Sequence, residues 1–474
     1  MSTNEHIAIF LEELAAGKAS GKSVYFLGIG GIGMSAIARY FISRGVKVSG
    51  YDKTETVLTK QLQAEGISIH YTDDVNLVDK NAVLYVYTPA IPKDHKGFNF
   101  LKDNGYDLLK RSEVLGMITK SSFNICIAGT HGKTTTSTMI AHILRHSGYG
   151  CNAFLGGIAS NYDTNFWSSE RNVCVAEADE YDRSFLRLSP DVAVITAIDP
   201  DHLDIYGTEE KFREAFAEFT TKLKPGGLLI SKYGLIGSAD FKAPSQLTYD
   251  LQESAADIKA LDIKPKQGSY LFDVQIKDYV IKDVLLNMGG KHNIENALAA
   301  IAIAHHAGLS DEKIKDAVAA FKGVKRRFEY IIKQDDLVMI DDYAHHPQEL
   351  TALISSAKGL FPEKKCTVIF QPHLFTRTRD FAEGFAAALS LADEVILIPI
   401  YPARELPIEG VNSEMIAAMM ESGKVKVCSK EELLLLIKDK KQKGGLEMVI
   451  TAGAGDIDTL VNPVKEILIA VTEN

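Results

Sequence analysis

Two glycine-rich segments hold the residues most able to do chemistry. Gly129-Thr130-His131-Gly132-Lys133-Thr134-Thr135-Thr136 follows the apolar run FNICIA and opens a helix-like stretch. Lys133 at that place can reach the β- and γ-phosphate oxygens of a nucleotide, and the Thr134 hydroxyl can ligate Mg²⁺. The backbone from Gly129 to Thr135 would cradle the phosphates. The spacing is shorter than in the usual phosphate loop, since Ile127 stands where its first glycine would be. Gly28-Ile29-Gly30-Gly31-Ile32-Gly33 fits GxGxxG between a strand and a helix. Asp52 ends the next apolar run, VKVSGYD, about where an acid would meet a ribose hydroxyl. Any nucleoside diphosphate offers the charge that such a turn receives, so the motif alone does not choose NAD, and a simple tight turn is the alternative.

Further polar groups cluster at the ends of apolar runs. VCVAE ends in Glu177, with Asp179, Glu180 and Asp182 following; VAVITAIDPDHLD brings Asp199, Asp201, His202 and Asp204. Glu177 and His202 are expected, with Thr134, to ligate a divalent cation bridging nucleotide phosphates. Helix capping is the competing reading and suits several of these acids. Asn293 opens a helix after Gly289-Gly290, where its amide can either read adenine or cap the helix. Arg326 and Arg327 place two guanidiniums where a phosphate could recruit them. Asp342, Tyr343, His345 and His346 follow the run VMI, and Arg377 lies in QPHLFTRTRD after another run. Together they look like one side of a cleft. Ser-His-Asp nucleophilic catalysis has no support, because GxSxG is absent.

These residues need elements to hold them. Three times a short apolar run ends at glycine and helical periodicity follows: at Ser23–Gly28, at Phe123–Ala128, and across Cys366–Phe370, Glu394–Ile400 and Met448–Thr451. That alternation indicates βαβ units and parallel sheets. The 474 residues have room for about three domains, expected at 1–118, 119–324 and 325–474. RSEVLGMITK reads as the helix closing the first, and Ser310 as an N-cap with Asp311 and Glu312 in the first turn. The stretch Asp240–Val284 reads as an irregular, strand-like excursion at the edge of the middle domain. Lys438–Lys443 reads as a solvated helix end.

Composition bounds the rest. A hydrophobic fraction of 46% and a charged fraction of 24% suit a globular chain rather than a disordered one. The formal charge of −10 speaks against nucleic-acid or membrane-surface partners. The five dispersed cysteines make neither a disulfide framework nor a zinc site and read as buried small hydrophobes. The N-terminal segment, with Glu5, Glu12 and Glu13, reads as a short amphipathic helix rather than a signal peptide. No apolar run is long enough to span a membrane, and the cytoplasm is the expected location.

Nine segments, in order from about Gly28 to Asp456, resemble the Mur ligases of bacterial peptidoglycan synthesis: LGIGGIGMSAIA, AGTHGKTTT, AEADEYDRSFL, DPDHLD, GKHNIENALAA, RRFE, DDYAHHP, FQPHLFTRTRD and GAGDI. The resemblance implies an α/β fold in three domains. The first is a Rossmann-like UDP-sugar domain, the second a central P-loop ATPase-like domain, and the third a Rossmann-like domain that receives the amino acid. It implies ATP-dependent joining of L-alanine to UDP-N-acetylmuramate, with Mg²⁺ as the metal and Mn²⁺ as a substitute, in a monomer or homodimer. A family member that recycles murein by attaching a whole tripeptide is the alternative, and the GIGGIGM turn favours the alanine-adding branch.

By the same resemblance, Gly28, Gly30, Gly31, Ile32, Gly33 and Asp52 bind the UDP-sugar. Gly129 to Thr135, Asn293, Arg327 and Asp342 bind ATP, and Thr134, Glu177 and His202 hold metal. Tyr343, His345, His346 and Arg377 surround the amino acid and the muramyl carboxylate, with Lys133, His345 and Arg377 closest to the chemistry. Two departures stand out. Leu374 replaces the arginine that often follows FQPH, and Phe216 stands where later-acting ligases carry a carbamylated lysine. An NAD-dependent oxidoreductase would explain only GIGGIG and Asp52. A P-loop switch would not need the clusters after VMI, and a folylpolyglutamate synthase is a weaker match within the wider family.

Overall fold

Apolar runs bounded by glycine turns become the central strands of three sheets. The computed structural model describes residues 6–470 apart from 8, 11–12, 15–17, 121, 201–202 and 404. The first sheet holds β1 (Ser23–Leu27), β2 (Lys47–Tyr51), β3 (Ser68–His70), β4 (Leu84–Tyr87) and β5 (Leu108–Lys110). Its spatial order is β3-β2-β1-β4-β5 and every pairing is parallel. The chain winds one way from β1 and then returns to its other side. The carboxyl end of β1 therefore sits where the winding reverses, and crevices open at such points. Among the described N-terminal residues, Ile7, Phe10 and Leu14 share one helical face and are at most 2% exposed, as an amphipathic helix requires.

The second sheet contains β6 (Phe123–Ala128), β7 (Asn152–Ala159), β8 (Thr164–Trp167), β9 (Val173–Glu177), β10 (Val192–Ile195), β11 (Leu228–Lys232) and β12 (Ser245–Asp250). Their spatial order is β12-β11-β10-β6-β9-β7-β8. Beyond β12 the sheet continues into β13 (Ile258–Lys266), β14 (Ser269–Ile276) and β15 (Tyr279–Leu286). The edge excursion expected over Asp240–Val284 is thus made of four regular strands. β6 lies at the reversal of this sheet, flanked by β9 and β10. The helix Lys133–His146 that follows β6 is buried throughout 134–144. Its buried hydroxyls are hydrogen-bonded, those of Ser137 and Thr138 to the Thr134 carbonyl and that of Thr136 to Asn296, which lets TTTSTMIAHIL lie inside.

The third sheet holds β16 (Glu329–Lys333), β17 (Val338–Asp342), β18 (Cys366–Phe370), β19 (Glu394–Leu397), β20 (Val425–Val427) and β21 (Met448–Ala452) in the order β16-β17-β21-β18-β19-β20. Only β16 pairs antiparallel. Lys438–Lys443 does end a helix, Lys430–Gln442, although Lys440 is paired with Glu394 rather than fully solvated.

By its internal contacts the chain divides into two compact units. One comprises Met1–Ala260, Val274–Ile281 and Glu295–Ala317; the other comprises Leu261–Asp273, Lys282–Ile294 and Val318–Asn474. The first sheet and strands β6–β12 of the second fall in the same unit because they share a core. Phe41, Phe154, Phe166 and Phe212 belong to a single apolar cluster, and the Tyr40 ring lies 5.6 Å from Phe154 and 6.1 Å from Phe166. Phe216 is fully buried with its ring 5.2 Å from both Phe185 and Phe212, a core position. Trp167 is 7% exposed, with the Tyr162 ring 5.0 Å away and the Arg145 guanidinium 5.2 Å from its centroid. All five cysteines are buried and unbridged.

Candidate active site

In the first unit the phosphate loop is shaped by two glycines in left-handed conformations. Gly129 has φ +134°, and a Cβ there would collide with Thr196 Oγ1. Gly132, at φ +82°, caps the helix Lys133–His146 with no side chain in the way of its first-turn amides. Thr196 Oγ1 braces the loop by donating to the His131 carbonyl at 2.5 Å. The Thr130 hydroxyl accepts from Asp199 N at 3.1 Å. Asn296, buried, comes within 3.0 Å of the Thr136 hydroxyl.

Glu177, the last residue of β9, faces the loop. Its Oε2 accepts from Thr134 Oγ1 at 3.2 Å, and its Oε1 from Gly156 N at 2.6 Å and Ser137 Oγ at 3.2 Å. Lys133 turns toward a residue that spacing did not single out. Its Nζ donates to both oxygens of Glu180 at 2.8 Å and to the Gly129 carbonyl at 2.5 Å. Glu180 is 2% exposed, and burial raises its carboxyl pKa against the opposing pull of Lys133. His202 lies outside the described residues. Among those described, no three Asp, Glu, His or Cys side chains converge as a metal site. The Thr134 hydroxyl and the Glu177 carboxylate are nonetheless hard oxygen donors in one place. That fits Mg²⁺, which takes few protein ligands and draws the rest from phosphate and water.

The first glycine loop is folded tightly. Gly28 has φ +85°, and its N–H and that of Ile29 donate to the Tyr51 carbonyl. Asp52 bends onto the loop, its Oδ2 accepting from Gly30 N at 2.7 Å. Gly31 N donates to the Gly28 carbonyl. An anion would therefore meet the first-turn amides from Ile32 and Gly33 onward, which have no acceptor within their helix. Both loops open on one cavity of about 340 Å³, lined by Gly31, Gly33, Arg111, Lys133, Glu177 and Asp179 among others.

The second unit gathers a separate cluster at the carboxyl ends of β17, β18 and β21. Asp342 Oδ2 accepts from Phe328 N at 2.6 Å and Oδ1 from Ala344 N at 2.7 Å. His345 Nδ1 lies 2.9 Å from the Tyr343 carbonyl. A carbonyl only accepts, so in the neutral ring this bond places the proton on Nδ1 and leaves Nε2 as an acceptor. The His345 ring stands 6.1 Å from His373, which stacks on Tyr401. His346 caps the helix Pro347–Leu360 and rests on Phe381. Arg377 is half-buried in the helix Phe375–Asp380, and Arg327 is exposed. Asn293 is buried, with its side-chain Nδ2 donating to the Gly289 carbonyl at 2.7 Å, a bond back to the turn that precedes the helix. Leu374 holds φ +68° and ψ 136° between strand β18 and this helix, a strained backbone for a residue with a side chain.

Asp341 opens the polar cluster after VMI but was given no role by sequence. It is 2% exposed, accepts from Thr451 Oγ1 at 2.6 Å and pairs with Arg326 at 3.4 Å. Burial pushes its pKa up to about 6, and that of Asp342 likewise to about 6. A carboxyl whose folded pKa exceeds its unfolded value holds its proton more tightly when folded. Its contribution to stability is therefore largest below the unfolded value of 3.8 and is lost as pH rises to about 6. Asp341→Asn removes that titration. Its melting temperature relative to wild type is expected to rise between about pH 4 and pH 7, by the equivalent of ~2 kcal/mol. An offset that stays constant with pH would show that Asp341 is ionised throughout.

Comparison with known proteins adds an independent line. Residues 23–122 match the Mur ligase family catalytic domain, 127–304 the Mur ligase middle domain, and 326–455 the Mur ligase glutamate ligase domain. The chain is 50% identical over 455 residues to a UDP-N-acetylmuramate–L-alanine ligase of Cytophaga hutchinsonii, covering 94% of this chain and 96% of that one. It is 50% identical over 453 residues to the enzyme of the same name from Parabacteroides distasonis, covering 94% and 97%. Its fold is similar to the crystal structure of UDP-N-acetylmuramate–alanine ligase from Thermotoga maritima. The TM-score there is 0.79 at 28% identity, covering 94% of this chain and 98% of that one. A murein peptide ligase from Psychrobacter arcticus shares the fold, with a TM-score of 0.65 at 23% identity and coverage of 96% and 100%.

Proposed function

The chain belongs to the Mur ligase family, and from that premise we propose that it joins L-alanine to the lactyl carboxylate of UDP-N-acetylmuramate at the expense of ATP. The products are UDP-N-acetylmuramoyl-L-alanine, ADP and phosphate. The observation that carries this reading is half identity, over 94% of the chain, to enzymes named for that reaction. The murein-recycling alternative rests on a likeness of fold at 23% identity. Phosphate release with UDP-N-acetylmuramate, ATP, Mg²⁺ and each amino acid in turn is the test. Release should follow L-alanine and fail with a tripeptide; the reverse would transfer the chain to the recycling branch.

A carboxylate is a poor electrophile, because its charge repels a nucleophile and oxide cannot leave. Phosphoryl transfer from ATP to the lactyl carboxylate gives an acyl phosphate, which the amine of L-alanine attacks with loss of phosphate. The shared cavity supports a meeting of the two substrates, since the end of the first glycine loop and Lys133 both line it. Lys133 and the first-turn amides after Gly132 would neutralise charge developing on the transferring phosphoryl group. Mg²⁺, held through Thr134, Glu177 and by expectation His202, would add positive charge at the same oxygens. Arg327, Asn293 and Asp342 are assigned to ATP, the last toward its ribose. In Asn293 and Asp342 the amide and carboxylate already bond to backbone, so each would have to share or exchange those bonds. Tyr343, His346 and Arg377 are assigned to the amino acid and the muramyl carboxylate. The free Nε2 of His345 makes it the candidate base for the incoming ammonium. Exclusion of water from the site would protect the acyl phosphate. No helix among the described residues is long and apolar enough to cross a membrane, and we place the reaction in the cytoplasm, with the chain a monomer or homodimer.

Gly30→Val is expected to raise KM for the UDP-sugar by about tenfold or more while leaving KM for ATP nearly unchanged. A Cβ on Gly30 would stand 2.7 Å from Thr59 Cγ2 and 2.8 Å from Asp52 Oδ2, so it would drive Asp52 off the loop. Steady-state kinetics in both substrates decides the matter. A selective loss of ATP affinity would exchange the roles of the two loops.

A further inference from the structure

Two cations line the cavity between the glycine loops, and both are already neutralised from one place. Arg111, at the start of the helix Arg111–Thr119, lies so close to Gly33 that a Cβ there would stand 2.5 Å from its Nη1. Its Nη2 donates to Asp179 Oδ2 at 3.0 Å. Lys133, from the phosphate loop, pairs with Glu180. Asp179 and Glu180 are adjacent residues just past β9, and all four belong to the same compact unit. Their segment continues into Asp182 and Arg183, at φ 51° and 55°, and Asp182 pairs with Lys110 beside Arg111 at 2.8 Å. Three acids of one short turn thus hold three bases: Lys133 from the second glycine loop, and Lys110 and Arg111 from the end of β5 and the helix after it, Arg111 lying against Gly33 of the first loop.

The pairing has a consequence for ligand binding. An ammonium has three N–H donors, and those of Lys133 are directed at the Gly129 carbonyl and the two Glu180 oxygens. Lys133 cannot serve a phosphate until one of these lets go. Glu180 and Lys133 are 2% and 16% exposed, so water does little to screen the competition.

We infer that the Asp179–Glu180 turn stands in for the anions of both substrates. Arg111 is a contact for the diphosphate-bearing sugar and is held by Asp179 until that ligand arrives. Glu180 is a positioning residue that holds Lys133 until a nucleotide phosphate displaces it. Because the two acids share one turn, displacement at one loop loosens the hold at the other, and the two substrates bind with positive coupling. The inference rests on the assignment of UDP-sugar to the first loop and ATP to the second.

Calorimetric titration of the full chain tests it, with UDP-N-acetylmuramate and ADP–Mg²⁺ each added alone and in the presence of the other. Wild type should bind each ligand about fivefold or more tighter when the other is present. Glu180→Gln should bind ADP–Mg²⁺ alone about fivefold tighter than wild type and should lose most of the coupling. Asp179→Asn should do the same for the UDP-sugar, and it supplies the result if the Glu180 variant melts too low to titrate. Arg111→Gln should weaken the sugar alone and spare ADP. A merely structural Glu180 would instead lower nucleotide affinity and melting temperature together. That outcome, or independent binding of the two ligands to wild type, overturns the inference. Were the two ligands to exclude one another from wild type, the loop assignment itself would fall, and the inference with it.

Discussion

Lys133→Ala is expected to lower kcat for ligation by about three orders of magnitude or more, with binding of UDP-N-acetylmuramate weakened by no more than about twofold. Lys133 leads the helix that begins at the phosphate loop, and its charge is used most fully while the phosphoryl group is in transit. The UDP-sugar is assigned to the other loop, whose backbone is held by Asp52 and Tyr51 rather than by Lys133. The variant also strands Glu180, a buried carboxylate, and removing one partner of a buried pair can destabilise by ~3 kcal/mol. A melting curve is therefore part of the measurement. The double variant Lys133→Ala, Glu180→Gln should regain most of the lost stability and none of the lost activity. Wild-type turnover in either protein would remove the phosphate-loop assignment.

Glu177→Gln is the second large effect. Its carboxylate accepts from the Gly156 amide and from two hydroxyls, Thr134 and Ser137. Glutamine has nearly the same shape: its oxygen in the Oε1 place can keep the Gly156 and Ser137 bonds, and the Thr134 hydroxyl can turn to accept from its NH2. Unfolding should therefore move by under ~1 kcal/mol, in either direction. Activity should fall by about two orders of magnitude or more, because the charge that draws Mg²⁺ to the phosphates is gone. Excess Mg²⁺ should restore part of it. The experiment is kcat/KM against Mg²⁺ concentration, with melts alongside. A variant that melts far below wild type yet keeps a normal metal dependence would make Glu177 a structural residue.

Much of this site was legible before any coordinates. β6 spans Phe123–Ala128 as expected, because a buried strand between a turn and a glycine loop is a bounded apolar run. Glu177 stood out because it closes such a run, and its place at the end of β9 follows directly. Glu180 did not stand out. It shares its segment with Asp179 and Asp182, and sequence spacing cannot say which of three neighbouring acids turns inward. The left-handed residues Asp182 and Arg183 help shape that turn, and neither is a glycine that would have marked it. Arg111 was hidden for another reason. Its partner Asp179 lies 68 residues away, so the pair exists only once both elements have packed. Asp52 was expected at a ribose; its bond to Gly30 N is a loop closure that alternation and spacing do not encode. The regular strands within Asp240–Val284 read as irregular because their solvent-facing positions break the apolar run. β13, for instance, alternates buried and half-buried residues and then ends exposed.

The position of Trp167 has a practical consequence. It is the single tryptophan of the chain, it is nearly enclosed, and the Arg145 guanidinium lies against its ring. Arg145 belongs to the last turn of the helix whose first residue is Lys133. The protein therefore carries a single indole, beside its 18 tyrosines, in contact with the far end of its phosphate-binding helix. Emission from that one indole offers a label-free optical readout of any tilt or slide of the helix as nucleotide engages, with no background from a second tryptophan.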